Sequence, residues 1–317
     1  MIDSAVGALK WVMHLERGDR MLVVADSERR RIGDAFVEGG KRLGADASLY
    51  ALRGKRPFLQ IPGGLMEAIQ SKEVIINLLT GIPEETPFRI RLTRAETDAG
   101  AKVAHAPGIT EDMMTEGPMT ADYRQVSETA YRLMDALKGA VRAHITARGG
   151  TDIVLAVSGR EFDTDVAIEK GKMGNLPSGE IWCAPIEDGA EGVIVCDGSV
   201  GDLGRVPSPV TMKVEEGKVT SIEGDDRPFV SRVGELIHLD EMACVIGELG
   251  IGVNPKARIT GNLLEDENAG KTAHIAFGNN ENMPGGKNNS ETHRDFLFHT
   301  PALTVTYFDG SQREISV

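Results

Sequence analysis

The strongest constraint on the fold is the alternation of short apolar runs and helical stretches in the first hundred residues. An apolar run at 21–25 precedes a helical stretch that ends near Leu43, and a second run follows at 47–50. A strand, a helix and a strand in this order form a βαβ unit, which requires a parallel sheet with helices on its faces. The alternation continues to residue 105, so residues 1–125 predict an α/β domain.

After residue 150 the apolar pattern changes to a period of two, which is typical of half-buried strands. Turn residues such as Glu216-Gly217-Lys218 separate these runs and predict a hairpin between 210–214 and 219–223. Residues 126–317 therefore predict a β-rich α+β domain. The amphipathic stretch Asp122–Ile145 predicts one long helix, and 122–147 is expected to link the two domains.

The charge distribution bears on possible partners. The chain carries 35 Lys and Arg against 48 Asp and Glu, a net charge of −13, and no concentrated basic face is visible. This balance argues against a nucleic-acid partner, because phosphates are held by Lys and Arg. The first domain also lacks the glycine patterns GxGxxG and GxxxxGK[ST] that let a backbone approach phosphate, so we do not expect it to bind a nucleotide.

Nothing in the sequence indicates export or membrane insertion. The first residues carry Asp3, Glu16 and Asp19 and do not resemble a signal peptide, and no run of about 18 apolar residues is present. The three cysteines form no CxxC pair and suggest neither a disulfide framework nor a zinc finger. A cytoplasmic protein without a membrane partner is the expectation.

The second half concentrates Glu, His and Asp beside Gly, Pro and Asn, and it holds 28 acidic against 14 basic residues. Mixed carboxylates and imidazoles are the donors that hold divalent transition metals, and carboxylates can bridge two ions. His293 and Asp295, two residues apart, would point to one side of a strand. The predicted metal ligands are Glu180, Glu248, His274, His293 and Asp295.

Taken singly, most of these residues have an ordinary structural explanation. Glu180 follows Ser-Gly as a surface turn residue would, His274 fits a hydrogen-bonded core histidine, and His293 with Asp295 fits a surface pair. Glu248 is harder to explain in this way, because it lies among apolar residues where a solvated side chain is not expected. The spacing of the five residues does not form a compact motif, and both interpretations stay open at this point.

Several blocks of sequence together resemble one known family. The segments NLPSGE, APIEDGAEG, GELGIGVNPKARITGNLLEDENAGKTAHIAFG and GGKNNSETHRD are similar to signature blocks of the M29 metallopeptidases, the aminopeptidase T and aminopeptidase S group. The segments ERGDRMLVVAD, GADASLY and AGAKVAHAPGITEDMM resemble the N-terminal domain of that family. The blocks occur in order along most of the chain.

The resemblance implies an aminopeptidase or related amide hydrolase with two divalent metal ions, such as Zn, Co or Mn. It also implies an α/β first domain, a β-rich metal-binding domain, a homodimer, and a small-molecule or short-peptide substrate. Matched block by block, the metal ligands of the family correspond to Glu180, Glu248, His274, His293 and Asp295.

The chain departs from the family at one catalytic position. The peptidases place a Tyr seven residues after the matched His, where this chain has Glu281. Loss of such an oxyanion donor costs roughly two to three orders of magnitude in rate if no other group replaces it. Lys287 is a candidate for the missing positive charge, or a solvated loop residue. Glu187 is a candidate general base, or a turn residue.

Two other functions remain as alternatives. The family resemblance extends to 2,5-dihydroxypyridine dioxygenase, a ring-cleaving enzyme with one Fe(II), which requires two His and one carboxylate. That branch has His in place of Glu248 and lacks counterparts of Glu180 and His274, so the residues present favour the two-metal hydrolase. The third alternative is a catalytically altered relative that retains a metal, and the absent Tyr is its only support.

Overall fold

The computed structural model describes residues 1–316 of the chain. They form two compact units: unit 1 comprises residues 1–127 and 165–179, and unit 2 comprises residues 128–164 and 180–316. The division into domains 1–125 and 126–317, meaning parts that fold independently, stays a prediction.

The helices are short to medium in length and occur mostly in the first half of the chain. In chain order they are α1 (Ile2–Trp11), α2 (Arg30–Arg42), α3 (Gly63–Ile69), α4 (Thr86–Asp98), α5 (Glu111–Thr115), α6 (Tyr123–Leu137), α7 (Arg227–Ile237) and α8 (Leu263–Asp266). The strands up to residue 183 are β1 (Arg20–Ala25), β2 (Asp46–Ala51), β3 (Val74–Leu79), β4 (Lys102–Pro107), β5 (Ala140–Ala147), β6 (Asp152–Ala156), β7 (Asp163–Thr164), β8 (Met173–Asn175) and β9 (Glu180–Cys183). The strands that follow are β10 (Ala190–Cys196), β11 (Ser199–Val200), β12 (Gly204–Arg205), β13 (Val210–Glu215), β14 (Lys218–Gly224), β15 (Ile246–Gly252), β16 (Thr272–Gly278), β17 (His293–His299), β18 (Pro301–Tyr307) and β19 (Gln312–Ile315).

Unit 1 contains the predicted parallel sheet, in the order β2-β1-β3-β4-β8. All six residues of β3 are buried, as expected for a parallel strand covered on both faces. The core of this unit packs α3 and α4 against the sheet through side chains that include Leu65, Phe88 and Leu92. The apolar runs of the sequence therefore form the buried strands of this sheet.

Unit 2 consists mainly of two seven-stranded sheets whose pairings are antiparallel. One sheet has the order β14-β13-β10-β6-β5-β18-β19, and its predicted β13–β14 hairpin pairs Glu215 with Lys218 at the turn. The other, which we call the site sheet, has the order β12-β11-β17-β16-β15-β9-β7. Every residue of β15 and of β16 is buried, so two adjacent strands in the middle of the site sheet are covered on both faces.

The prediction of one long helix over 122–147 is wrong in its second half. α6 ends at Leu137, and residues 140–147 form β5, which pairs with β6 and β18. Gly139 has a φ of +79°, a conformation that favours glycine and ends the helix. The stretch that follows contains Val141, Ile145 and Thr146, whose β-branched side chains favour a strand.

A second feature of the fold was not anticipated from the sequence. Residues 165–179 belong to unit 1, where β8 adds a parallel edge strand beside β4. This short strand contains Gly174 and has no apolar run that would mark it.

Among residues 1–316, no helix combines the length and the apolar character needed to cross a bilayer.

Candidate metal centre

The five predicted metal ligands lie on four neighbouring strands of the site sheet. Glu180 begins β9, Glu248 is in β15, His274 is in β16, and His293 and Asp295 are in β17. These strands are adjacent in the order β17-β16-β15-β9. The structure thus brings together residues that are up to 115 positions apart in the sequence.

The strand register places all five side chains on one face, because directly paired residues of antiparallel strands point to the same side. Each predicted ligand has a glycine or an alanine as a cross-strand partner, and His274 is also paired with Leu297 on its other side. The pairs are Glu180 with Gly252, Glu248 with Ala276, His274 with Gly250, His293 with Gly278, and Asp295 with Ala276. Because these glycines and alanines carry at most a methyl group, they leave room for the carboxylates and imidazoles to converge.

A β-bulge at Gly247 determines the direction of the Glu248 side chain. Ile246 pairs with Phe277, and Glu248 pairs with the next residue, Ala276, so Gly247 is the extra residue of the bulge. Without the bulge, Glu248 would lie on the face of Ile246, because side chains two positions apart share a face. A Cβ at position 247 would lie 2.7 Å from the carbonyl oxygen of Gly278, which explains the glycine.

The donor atoms form two groups that share Glu248. In the first group, His274 Nε2 lies 3.6 Å from a Glu180 carboxylate oxygen and 3.5 Å from Glu248 Oε1. In the second group, His293 Nε2 lies 2.9 Å from Glu248 Oε2 and 3.5 Å from Asp295 Oδ1. Two donors that bind one ion at about 2.1 Å are about 3.0–3.5 Å apart. Most of these separations are too long for a good hydrogen bond but fit a shared divalent ion.

Burial makes this set of charges costly without a cation. Glu180, Glu248 and Asp295 are 5–7% exposed, and His274 is 1% exposed. Within the described chain, Glu248 and Asp295 form ion pairs with imidazoles but with no lysine or arginine. Three carboxylates this close repel one another, and buried charge is tolerated only when it is compensated. The donor types, their spacing and their burial all fit divalent metal ions.

The electrostatics within the group follow from its own members. Burial raises the pKa of Glu248, but His274 and His293 outweigh this effect and hold that pKa well below its usual value. Burial lowers the pKa of both imidazoles, yet Glu248 and Asp295 raise it above the usual value, most strongly at His293. In the metal-free protein, protons on the imidazoles therefore offset part of the negative charge.

The orientation of His293 is set by the loop that precedes β17. Its Nδ1 atom lies 2.7 Å from the carbonyl oxygen of Asn279, to which it donates a hydrogen bond, and Nε2 then faces Glu248 and Asp295. This arrangement leaves Nε2 as the nitrogen that is available to a metal ion. Sequence reasoning did not identify Asn279, because a backbone carbonyl has no side-chain signature.

Gly250 is required beneath the imidazole of His274. A Cβ at this position would lie 1.9 Å from His274 Nε2. We expect Gly250→Ala to displace the imidazole, to destabilise the fold by about 1–3 kcal/mol, and to weaken metal binding by the group that contains Glu180. Urea unfolding and a metal titration measure the two effects.

The double variant G250A/H274A is the control for this clash. Once the imidazole has been removed, the added methyl group has room, so the further cost of Gly250→Ala should be small on the His274→Ala background. An equal cost on both backgrounds would show that the methyl group disturbs the strand itself and not the imidazole.

The two predicted catalytic residues lie elsewhere in unit 2. Glu187 Oε2 is 2.6 Å from an Arg160 guanidinium nitrogen, and Glu187 Oε1 accepts a hydrogen bond of 2.8 Å from the backbone N–H of Lys287. Burial raises the pKa of Glu187, but backbone hydrogen bonds and Arg160 lower it overall. Within residues 1–316, neither Glu187 nor Lys287 forms a hydrogen bond or ion pair with the five predicted ligands.

Glu187 and Lys287 line an open cavity of about 710 Å³ together with Arg160, Met242 and Val245. A carboxylate that is held by an arginine and two further donors is a weak proton acceptor, so the catalytic roles of Glu187 and Lys287 stay predictions. Glu281, which occupies the position of the family's Tyr, is exposed, and its backbone N–H donates to Asn279 Oδ1 at 3.3 Å.

Comparison with known proteins bears on the chemistry of this site. A family model described as thermophilic metalloprotease (M29) matches residues 109–317. A 2,5-dihydroxypyridine 5,6-dioxygenase of Pseudomonas putida is 29% identical over 174 residues, which cover 50% of this chain and 49% of that protein. Aminopeptidase AmpS of Bacillus subtilis is 26% identical over 183 residues, which cover 52% of this chain and 40% of AmpS. The matched segments thus span less than half of each relative.

Two solved structures share the fold over almost the whole chain. The dioxygenase structure from Pseudomonas putida KT2440 has a TM-score of 0.72 at 18% identity and covers 98% of this chain and 94% of its own. AmpT from Thermus thermophilus has a TM-score of 0.69 at 18% identity and covers 99% of this chain and 97% of its own. A parallel sheet early in the chain and antiparallel sheets later are therefore common to this chain and to both structures.

Proposed function

The chain belongs to the M29 metallopeptidase family, and from this premise we propose that it is a metal-dependent aminopeptidase or a related amide hydrolase with a two-metal site. The observation that carries the proposal is the convergence of Glu180, Glu248, His274, His293 and Asp295 on one face of the site sheet. In this proposal the five side chains are the metal ligands.

The proposed division of ligands follows the two donor groups. Glu180 and His274 serve one ion, His293 and Asp295 serve the other, and Glu248 contributes to both, since its two oxygens face different imidazoles. Three protein donors per ion leave coordination positions open, as in catalytic metal sites. When bound, a pair of divalent ions lowers the pKa of a water molecule and polarises a carbonyl group. Imidazole with carboxylate suits Zn, Co or Mn.

The protein residues would contribute positioning and electrostatics. The Asn279 carbonyl holds the Nδ1 proton of His293, which keeps Nε2 directed at the carboxylates. The half of the chain from residue 151 holds 28 acidic and 14 basic side chains, and this negative field favours a substrate with a cationic N-terminal amine. We propose a short peptide or another small aminoacyl amide as the substrate, and a homodimer in the cytoplasm as its setting.

A ring-cleaving dioxygenase with one Fe(II) is the second candidate, because the matched relatives and the fold neighbours include 2,5-dihydroxypyridine dioxygenase. Such chemistry needs two His and one carboxylate around one ion. Here His274 and His293 could supply the imidazoles, but three carboxylates accompany them within the two donor groups. The additional carboxylates favour the two-metal hydrolase.

Metal content and turnover measured on the same preparation test the proposal. Protein stripped with a chelator is reconstituted with Zn, Co, Mn or Fe(II) and assayed with aminoacyl p-nitroanilides and short peptides, and separately for oxygen uptake with 2,5-dihydroxypyridine. Two ions per chain with release of the amine support the hydrolase. One iron with oxygen uptake supports the dioxygenase, and bound metal without either reaction refutes both activities.

A further inference from the structure

The loop between β16 and β17 connects the metal ligand His293 to a network of buried amide groups. This loop begins at Asn279, whose carbonyl accepts a hydrogen bond from Nδ1 of His293. The backbone N–H of Asn279 donates to the carbonyl of Thr292 at 2.6 Å. The direction of the imidazole therefore depends on where the loop holds the Asn279 carbonyl. A backbone carbonyl is held in place by its neighbours, and the next residue is Asn280.

Asn280 joins three separate parts of unit 2 and is only 1% exposed. Its Nδ2 atom donates to the carbonyl of Gly247 at 3.1 Å and to Glu187 Oε1 at 3.4 Å. Its Oδ1 atom accepts from the backbone N–H of Asn288 at 2.7 Å, and its own backbone N–H donates to the carbonyl of Asn288 at 3.0 Å. The side-chain amide is thus satisfied at both ends. One contact, Gly247, is the bulge residue that directs Glu248.

Glu187, which is not part of this loop, accepts hydrogen bonds from two of its residues. Its carboxylate accepts from Asn280 Nδ2 and from the backbone N–H of Lys287, and Arg160 holds it by an ion pair of 2.6 Å. The Arg160 side chain is 8% exposed and also donates to the carbonyl of Gly285. Residue 280 and residues 285–287 of the loop are therefore both bonded to one partly buried ion pair.

We infer that Asn280, supported by Glu187, is a positioning residue for His293 and so for the donor group of Glu248, His293 and Asp295. The inference rests on the proposed function only in taking these side chains as metal ligands. Residues that orient metal-bound imidazoles commonly contribute 10–100-fold to metal affinity. Because His293 belongs to only one donor group, loss of Asn280 should weaken that group most and should reach the group of Glu180 and His274 only through the shared Glu248.

Asn280→Ala tests this inference in two ways. In the metal-free protein, the Nδ1 proton of His293, observed by NMR, should exchange with solvent faster than in the wild type. In titrations with Zn²⁺ or Co²⁺, we expect one class of sites to weaken by about 10–100-fold and the other class to weaken much less. Asn268→Ala is the matched control, since Asn268 is also fully buried and donates to a backbone carbonyl, that of Leu264, at 3.0 Å.

Glu187→Gln separates positioning from general base catalysis. If Glu187 acts through the loop, the variant weakens the same class of metal sites, and kcat recovers at saturating metal. If it is the base, kcat stays low with metal affinity unchanged, and this part of the inference fails. Wild-type affinities and an unchanged exchange rate in Asn280→Ala would overturn the inference for Asn280. Both readouts are independent of hydrolysis, so a protein that binds metal but cleaves no amide would refute the proposed function alone.

Discussion

Replacing Glu248 with Gln should weaken metal binding at both donor groups at once, the largest effect expected from a single substitution in this protein. Glu248 is the only residue present in both groups, and each of its oxygens faces a different imidazole. Residues that merely orient a ligand contribute 10–100-fold to affinity, so loss of a charged ligand should cost at least about a hundredfold in each group. Hydrolysis should fall with metal content.

The metal content of dialysed protein measures this effect, with His274→Ala and Asp295→Ala for comparison. Each of these two variants should lose one class of sites and retain the other, because each residue belongs to a single group. Glu96→Gln, which removes a buried carboxylate from unit 1, controls for a general effect of such a change. If Glu248→Gln kept one site at wild-type affinity, Glu248 would not contribute to both ions.

Glu96→Gln should abolish a large pH dependence of the stability of unit 1. Glu96 is fully buried in α4, and the only hydrogen bond that its side chain makes within residues 1–316 comes from Asn77 Nδ2 at 2.6 Å. Burial raises the pKa of Glu96 from 4.5 to about 8, which the hydrogen bond from Asn77 only partly opposes. The folded protein therefore favours the neutral acid, in contrast to most surface carboxylates.

The sign of the effect follows from proton binding. Well below pH 4.5 the carboxyl group of Glu96 is protonated in both the folded and the unfolded chain, so its ionisation does not affect the free energy of unfolding. As the pH rises to about 8, the unfolded chain releases this proton while the folded chain keeps it, so stability falls. A shift from 4.5 to about 8 corresponds to roughly 5 kcal/mol, lost over that interval and constant above it. Gln resembles the neutral acid and does not titrate, so the variant should be the more stable protein at pH 8.5.

The two tryptophans allow unit 1 to be followed separately. Trp11 lies in α1 of unit 1 and Trp182 in β9 of unit 2, so Trp11 is the only tryptophan in a Trp182→Phe background. Urea unfolding of this protein, with and without Glu96→Gln, is compared at pH 5 and pH 8.5. Glu111→Gln, a substitution of the same kind at an exposed position of unit 1, is the control variant. If the Glu96→Gln variant lost as much stability between pH 5 and pH 8.5 as its parent, Glu96 would not be the buried neutral acid that causes the pH dependence.

Much of unit 1 could be predicted because its signals are local. Predominantly apolar runs such as 21–25 and 74–79 form the buried strands β1 and β3, and the stretches between them form helices. The period of two likewise predicted the β13–β14 hairpin. The failure at α6 also has a local cause, since the helix ends at Leu137 and Gly139 was not recognised as its stop.

The sequence by itself determined which residue types are available: five carboxylates and imidazoles in family-like blocks, strands of alternating polarity, and small residues between them. The tertiary structure decided that Glu248 faces His274, because a bulge at Gly247 reverses the side on which that side chain lies. It also decided that Glu187 is held by Arg160 and Asn280, residues 27 and 93 positions away. The physical reason is that strand register and ion pairs between distant residues depend on which segments pack together, and local patterns of hydrophobicity do not carry that information.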